Sequence, residues 1–226
     1  MDSEFTWQPE GDSGISIDWV EANGLKFEVA QAGEGDHLAL CLHGFPELHY
    51  SWRKQIPALV EQGYRVWAPN LRGYGATSRP HDVRDYGLDH LTQDIAALID
   101  ASGAKKVTLL AHDWGAIIAW HFAILKLRPL HQLVIMNVPH PMVLQRELRR
   151  WEQLKKSWYV FFFQLPKIPE MRIGSKNGPG MGGLIARTST NAEAFPPDVQ
   201  QVYSDAARRP GAARAMVNYY RAGMRH

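Results

Sequence analysis

The chain has 226 residues, 45% hydrophobic and 21% charged, which is the composition of an ordinary globular protein. That length fits one large domain or a domain carrying an inserted lobe. Twenty-five basic against 23 acidic residues leave a net charge of +2, so the balance points to no nucleic acid or other polyanionic partner. The single cysteine, Cys41, lies in an apolar run, has no internal partner for a disulfide, and reads as a small core residue. The start, Met1-Asp2-Ser3-Glu4-Phe5, is acidic and lacks the apolar stretch of a signal peptide. No run approaches the roughly 18 apolar residues of a membrane span. The expectation is a cytoplasmic protein.

Turn residues and apolar periodicity predict the elements in chain order. Ile15–Val20 and Leu25–Ala30 read as strands joined through Asn23-Gly24, a two-residue hairpin signal. His37–Leu42 is a third strand, followed by His43-Gly44-Phe45-Pro46-Glu47. Ser51–Gln62 reads as a helix closed by Gly63, with Trp52, Ile56, Leu59 and Val60 near helical spacing. Tyr64–Pro69 is a strand leading into Asn70-Leu71-Arg72-Gly73-Tyr74-Gly75. Asp89–Ala101 is a helix with Leu91, Ile95, Leu98 and Ile99 on one face. Val107–Ala111 is a strand, Ala116–Leu127 a helix and Leu133–Val138 another strand. From Pro139 onward strands stop and prolines divide the chain into helical pieces. Gly174–Gly183 reads as a Gly-rich loop, and Asp198–Ala207 and Ala212–Met224 as helices.

Alternating strands and helices after a hairpin define an α/β fold with a mostly parallel sheet and right-handed crossovers. Residues 1–138 form its core, and residues 139–226 a helical lid or a second packing layer. In such sheets ligands sit beyond the carboxyl ends of the strands. The loops His43–Glu47, Asn70–Gly75 and His112–Trp114 all begin at such ends and are expected to converge.

The segment Val107-Thr108-Leu109-Leu110-Ala111-His112-Asp113-Trp114-Gly115 carries the chemistry. Taken alone, Asp113 fits a plain helix N-cap, whose carboxylate accepts orphan N–H groups. It fits equally a nucleophile elbow, where a sharp strand-to-helix turn between small residues lifts one side chain above the sheet. Convergence of the three loops favours the elbow. An Asp at that tip, where related turns carry Ser, points to catalysis through a carboxylate ester and away from an esterase.

His43-Gly44-Phe45-Pro46-Glu47, Arg72-Gly73-Tyr74-Gly75, His112-Asp113-Trp114-Gly115, Asn137-Val138-Pro139-His140-Pro141 and Asn218-Tyr219-Tyr220-Arg221 together resemble the epoxide hydrolases of the α/β-hydrolase fold. The resemblance covers nearly the whole chain. It implies opening of epoxides to vicinal diols by attack of Asp113 on the less hindered epoxide carbon. Tyr220, with Tyr159 as partner, would hold and protonate the epoxide oxygen. The backbone N–H groups of Phe45 and Trp114 would form the oxyanion hole for ester hydrolysis. A cis bond before Pro46 is implied as well, with Phe45, Pro46 and Trp114 lining the substrate site. No cofactor and no metal are implied; the expected partner is a small hydrophobic epoxide, and a homodimer is left open.

Each role has a plainer counterpart. Tyr219 and Tyr220 lie about 100° apart on a helix, so at most one faces a given pocket, and spacing does not choose between them. Tyr159 lies in the aromatic run 158–164, where core packing is the default, and Trp114 reads equally as a pocket wall. His112 points away from the tip residue, and Glu47 and His49 receive no chemistry. In the family the acid and the base histidine follow the lid, in the order nucleophile, acid, histidine. The chain reaches His226 directly after the tyrosine helix, so it reads as an N-terminal portion, with roughly 90–100 further residues expected. His140 fits a lid hinge better than a base. Such a portion would leave an open sheet edge and would be alkylated without turnover. Rival readings are a haloalkane or haloacid dehalogenase with the same Asp nucleophile, and a non-catalytic binding protein of the same fold.

Overall fold

A computed structural model describes residues 6–147, 150–151, 155, 157–176, 178 and 180–225. Six strands, β1 (Ser16–Ala22), β2 (Leu25–Ala32), β3 (His37–Leu42), β4 (Arg65–Pro69), β5 (Lys106–His112) and β6 (Gln132–Met136), form one sheet in the order β1-β2-β4-β3-β5-β6. β1 and β2 form an antiparallel hairpin, and Asn23 and Gly24 take the positive φ values of 48° and 71° that its two-residue turn demands. β2 also runs antiparallel to β4, whereas the β3–β4, β3–β5 and β5–β6 pairs are parallel. This is the expected mostly parallel sheet entered through a hairpin.

The strand pleat sorts side chains by parity. Along β3, Leu38, Leu40 and Leu42 enter the main core, while Ala39 and Cys41 enter a smaller cluster on the opposite face with Val66, Trp52 and Ile56. Burial pushes the Cys41 thiol far above its usual range, so it packs as an inert apolar group. The main core takes in α2 (Leu88–Ser102) and α3 (Asp113–Ile124), and the smaller one is covered by α1 (Gln55–Glu61). The helix anticipated over Ser51–Gln62 is in fact two pieces, a 3-10 turn at His49–Trp52 and then α1. Pro57, which has no N–H to give and clashes with the preceding turn in a helix interior, fits only near a helix start, so α1 begins just before it. Helix α3 begins three residues earlier than expected, at Asp113 itself.

After β6 the described residues are helical: α4 (Pro141–Glu147), α5 (Trp158–Phe162), α6 (Ile168–Ile173), α7 (Gly180–Thr188), α8 (Pro197–Arg208) and α9 (Ala212–Arg225). The Gly-rich stretch expected to be a loop turns helical at Gly180. Gly182 there lies against the backbone of Gln200 on α8, where a side chain has no room. Close approach of the two helices explains Gly182. On α9, Ala215, Met216, Val217 and Tyr219 are fully enclosed and belong to the main core. No helix among the described residues is long and apolar enough to cross a membrane.

One buried carboxylate organises the loops beyond the strand ends. Glu28 on β2 accepts hydrogen bonds from the Thr6 amide and hydroxyl, the Asn70 side-chain amide and the Ala76 N–H, and its Oε1 lies 3.6 Å from His49 Nε2. Burial alone would raise its pKa; the His49 ring and the donated hydrogen bonds outweigh that and hold it at about 2. A group bound more weakly to its proton in the folded state stabilises the fold above its unfolded pKa, and that contribution is lost on acidification. For Glu28 the loss runs from about 4.5 down to about 2. Urea unfolding of Glu28→Gln is expected to show a deficit of order 2–3 kcal/mol at pH 7 that narrows as the pH is lowered toward 3.

Candidate active site

The site is built where β5 meets α3. Asp113 has φ +48°, a left-handed conformation that a non-glycine residue holds only at a cost of order 1 kcal/mol or more. A plain N-cap is extended, and here that position belongs to His112, with φ −135° and ψ 159°. The strained backbone turns the Asp113 side chain up and out of the helix start. Its own N–H donates to Asn137 Oδ1 at 3.3 Å, from the residue directly after β6.

Two glycines make the turn sterically feasible. The space of a Gly44 side chain is filled by the Asp113 side chain, and a Cβ on Gly115 would sit 2.5 Å from the Leu42 carbonyl oxygen and 2.6 Å from that of His43. The peptide before Pro46 is cis, as anticipated. The Phe45 N–H donates to Asp113 Oδ1 at 2.7 Å, and the Trp114 N–H also reaches this carboxylate. Asp113 keeps partial solvent access yet is surrounded by protein. Burial therefore pushes its pKa up, the Phe45 and Trp114 amides and His112 pull it back, and Glu47 adds to the rise.

Above the carboxylate stands an aromatic group drawn from four separate segments. The Tyr220 ring packs edge-on against Phe45 at 5.2 Å and Trp114 at 5.2 Å, and lies 4.8 Å from Phe163 and 5.8 Å from Tyr159. Burial holds the Tyr220 phenol far above its ordinary pKa; the Asp113 charge and Tyr159 add to this, and the Trp114 indole opposes it. Tyr159 is likewise raised by burial and by Asp113. Both phenols thus sense the Asp113 charge and stay protonated at neutral pH. They differ in access, since Tyr159 is 37% exposed and Tyr220 only 7%.

The choice between adjacent tyrosines is decided by packing. Tyr219 is fully buried among Tyr74, Tyr86 and Trp114, and its hydroxyl donates to the Arg72 carbonyl at 2.8 Å. It is a core residue. Trp114 is a wall between both tyrosines. His112 lies 3.7 Å from Glu47 and 5.6 Å from the Trp52 ring, away from the tip. His140 meets Trp120 edge-on at 4.9 Å, and His121 is bonded to the Ile117 carbonyl.

Two features of the site escaped sequence reading. Arg221, quoted only as part of a motif, is buried and fixes α5 and α6 to α9: its Nε donates to the Phe163 carbonyl at 3.0 Å, Nη2 to that of Leu165 at 2.7 Å, and Nη1 to Glu170 Oε1 at 2.6 Å. Gln164 adds a bond to the Tyr220 carbonyl at 3.2 Å. An Arg beside an inward-facing tyrosine on an apolar helix face was the available signal. His43 is the second, fully enclosed beneath Gly44.

Residues 40–176 match the model of the alpha/beta hydrolase fold family. The AB hydrolase superfamily protein YfhM of Bacillus subtilis is 38% identical over 211 residues, 92% of this chain and 73% of that protein. Epoxide hydrolase 2 of Caenorhabditis elegans is 34% identical over 95% of this chain, which spans 61% of that relative. An epoxide hydrolase structure from Vigna radiata superposes with a TM-score of 0.76 at 37% identity, over 92% of this chain and 71% of that one. The chain belongs to the α/β-hydrolase fold family, within its epoxide hydrolase branch.

The close approach at Gly115 gives a direct check. Gly115→Ala is expected to cost about 1–3 kcal/mol of stability, the usual price of overpacking, read as a lowered urea midpoint with unchanged slope.

Proposed function

We propose that this chain opens small hydrophobic epoxides through an ester on Asp113, with Tyr220 and Tyr159 protonating the epoxide oxygen. The observation that carries this reading is the pairing of one protein-surrounded carboxylate with two protonated phenols across an aromatic space. One Asp113 oxygen attacks an epoxide carbon, the carbon–oxygen bond on that carbon breaks, and the departing oxygen takes the Tyr220 proton. An alkoxide is a poor leaving group in apolar surroundings, so a positioned phenol that donates as charge develops lowers the barrier. Phe163 and the Phe45 ring line the approach and suit an apolar substrate. In this reading residues 1–138 are the core and residues 139–226 the lid that bears the phenols.

Hydrolysis of the ester would follow by attack of water at the Asp113 carboxyl carbon. The oxyanion formed there would meet the Phe45 and Trp114 amides, dipoles already oriented before reaction. The water needs a base. Among the described histidines, His112, His121 and His140 are engaged in the contacts given above, His43 bonds the Leu71 N–H and the Gly44 carbonyl, and none is bonded to Asp113.

The expected outcome with styrene oxide is therefore covalent capture: intact-mass spectrometry of the 226-residue protein should show one added epoxide, mapped by digestion to Asp113. Asp113→Asn should show none, and Tyr220→Phe should form the ester about 100-fold more slowly. Tyr219→Phe should react at the normal rate while losing about 1 kcal/mol of stability. Rapid repeated diol release by this chain would refute the capture step, and halide release from a chloroalkane in place of epoxide opening would favour the dehalogenase reading. Phe45 speaks against that reading, since its ring has no hydrogen to donate to a departing halide.

A further inference from the structure

His43 directly follows β3 and is fully enclosed. Its ring nitrogens nevertheless both have partners. The Leu71 N–H donates to Nε2 at 3.0 Å, and Nδ1 lies 3.0 Å from the Gly44 carbonyl oxygen. An amide N–H can only donate and a carbonyl oxygen can only accept. Nε2 must therefore carry the lone pair and Nδ1 the proton, so the surroundings dictate one neutral tautomer. The Tyr74 ring closes the pocket edge-on at 4.7 Å.

The Gly44 carbonyl and the Phe45 N–H are the two ends of one peptide group. The carbonyl end accepts from His43 Nδ1 and from the Glu47 N–H at 2.8 Å, and the N–H end donates to Asp113 at 2.7 Å. Donors at the oxygen of an amide withdraw electron density from its nitrogen and make its N–H a stronger donor. They also lock the plane of the peptide, and so the direction in which that N–H points.

We infer that His43 is a positioning residue that polarises and orients the Gly44–Phe45 peptide, setting the strength of the Phe45 N–H at the Asp113 carboxyl group. It touches no reacting atom. Burial opposes protonation of the ring and outweighs the Gly44 carbonyl, which favours it; with His112 and His49 as further like-charged neighbours the pKa is held at about 3, so the arrangement persists at neutral pH. The consequence is twofold: a stabilised Asp113 carboxylate before reaction, and a stronger donor for the oxyanion that forms when the ester is attacked.

The effect on rate rests on the reading of Asp113 as nucleophile; the hydrogen-bond chain does not, and the tests separate the two. Nitrogen-15 spectra of histidine-labelled protein should show His43 with a protonated Nδ1 and a bare Nε2, unchanged between about pH 5 and pH 8. A protonated Nε2, or titration in that range, overturns the inference. The Phe45 amide proton should resonate downfield in the wild type, move upfield in His43→Leu, and return in His43→Asn, whose side-chain N–H occupies the place of Nδ1. An unmoved signal in folded His43→Leu overturns it.

In stopped reactions with styrene oxide, the pH at which ester formation on Asp113 is half-maximal should rise by about 0.5 in His43→Leu and recover in His43→Asn. The groups facing Asp113 from the other elements, Tyr220, Tyr159, His112 and Glu47, are unchanged in both variants, and equal midpoints count against the inference. Should the wild type form no ester, the nucleophile reading fails while the tautomer and the Phe45 signal still decide on His43. Should His43→Leu not fold, the wild-type tautomer and the Phe45 signal of His43→Asn carry the decision.

Discussion

A carboxylate held in place by peptide N–H groups on a left-handed turn is the interaction on which the rest of this molecule depends. No arginine or lysine side chain bonds Asp113 among the described residues; its partners are the Phe45 and Trp114 amides. Fixed dipoles of this kind favour the charge without the mobility of a cationic side chain. The demand propagates outward. To bring the Phe45 amide within reach, the loop after β3 must pass so near the tip that only glycine fits at 44, and the helix must start so near β3 that only glycine fits at 115. Asn137, itself at φ +53°, then ties the tip to the end of β6.

The aromatic group above the tip follows a different rule, because its members come from residues far apart in the chain. Phe45, Trp114, Phe163 and Tyr220 meet mostly edge-to-face, the arrangement that sets a positive ring edge on a negative face. Their common effect is to keep water away from the carboxylate, which raises its pKa and strengthens every dipole aimed at it. Arg221 makes this enclosure durable. One guanidinium satisfies two carbonyls and one carboxylate at the ends of α5 and α6, where loose chain would otherwise let the phenols drift apart.

Local chemistry explains why some of this was readable from residues alone. Asn23-Gly24 announces its hairpin because few other pairs tolerate two positive φ values, and β3 announces itself by an unbroken apolar run that both sheet faces require. The tip was readable only from its company: nine residues fit a plain N-cap equally well, and three loops converging at the carboxyl ends of the strands tip the balance. Contacts across long separations were not readable. Which of Tyr219 and Tyr220 faces the carboxylate depends on a hydrogen bond to Arg72, 147 positions away. Glu28 looks like any strand glutamate until Thr6, Asn70 and Ala76 are seen to converge on it. Gly182 escapes sequence reading for a related reason: flexibility and tight helix crossing select the same residue type.

Consecutive placement of Tyr219 and Tyr220 on α9 has a mechanical result. Any roll of this helix that swings one phenol across the site drags the other hydroxyl off the Arg72 carbonyl, whose residue is itself pinned by Asp94 through two bonds of 2.7 and 2.6 Å. The Tyr220 helix is thus anchored to the core through the neighbouring tyrosine. Tyr159, by contrast, rides on a short helix with Trp158 and Phe161 turned to solvent.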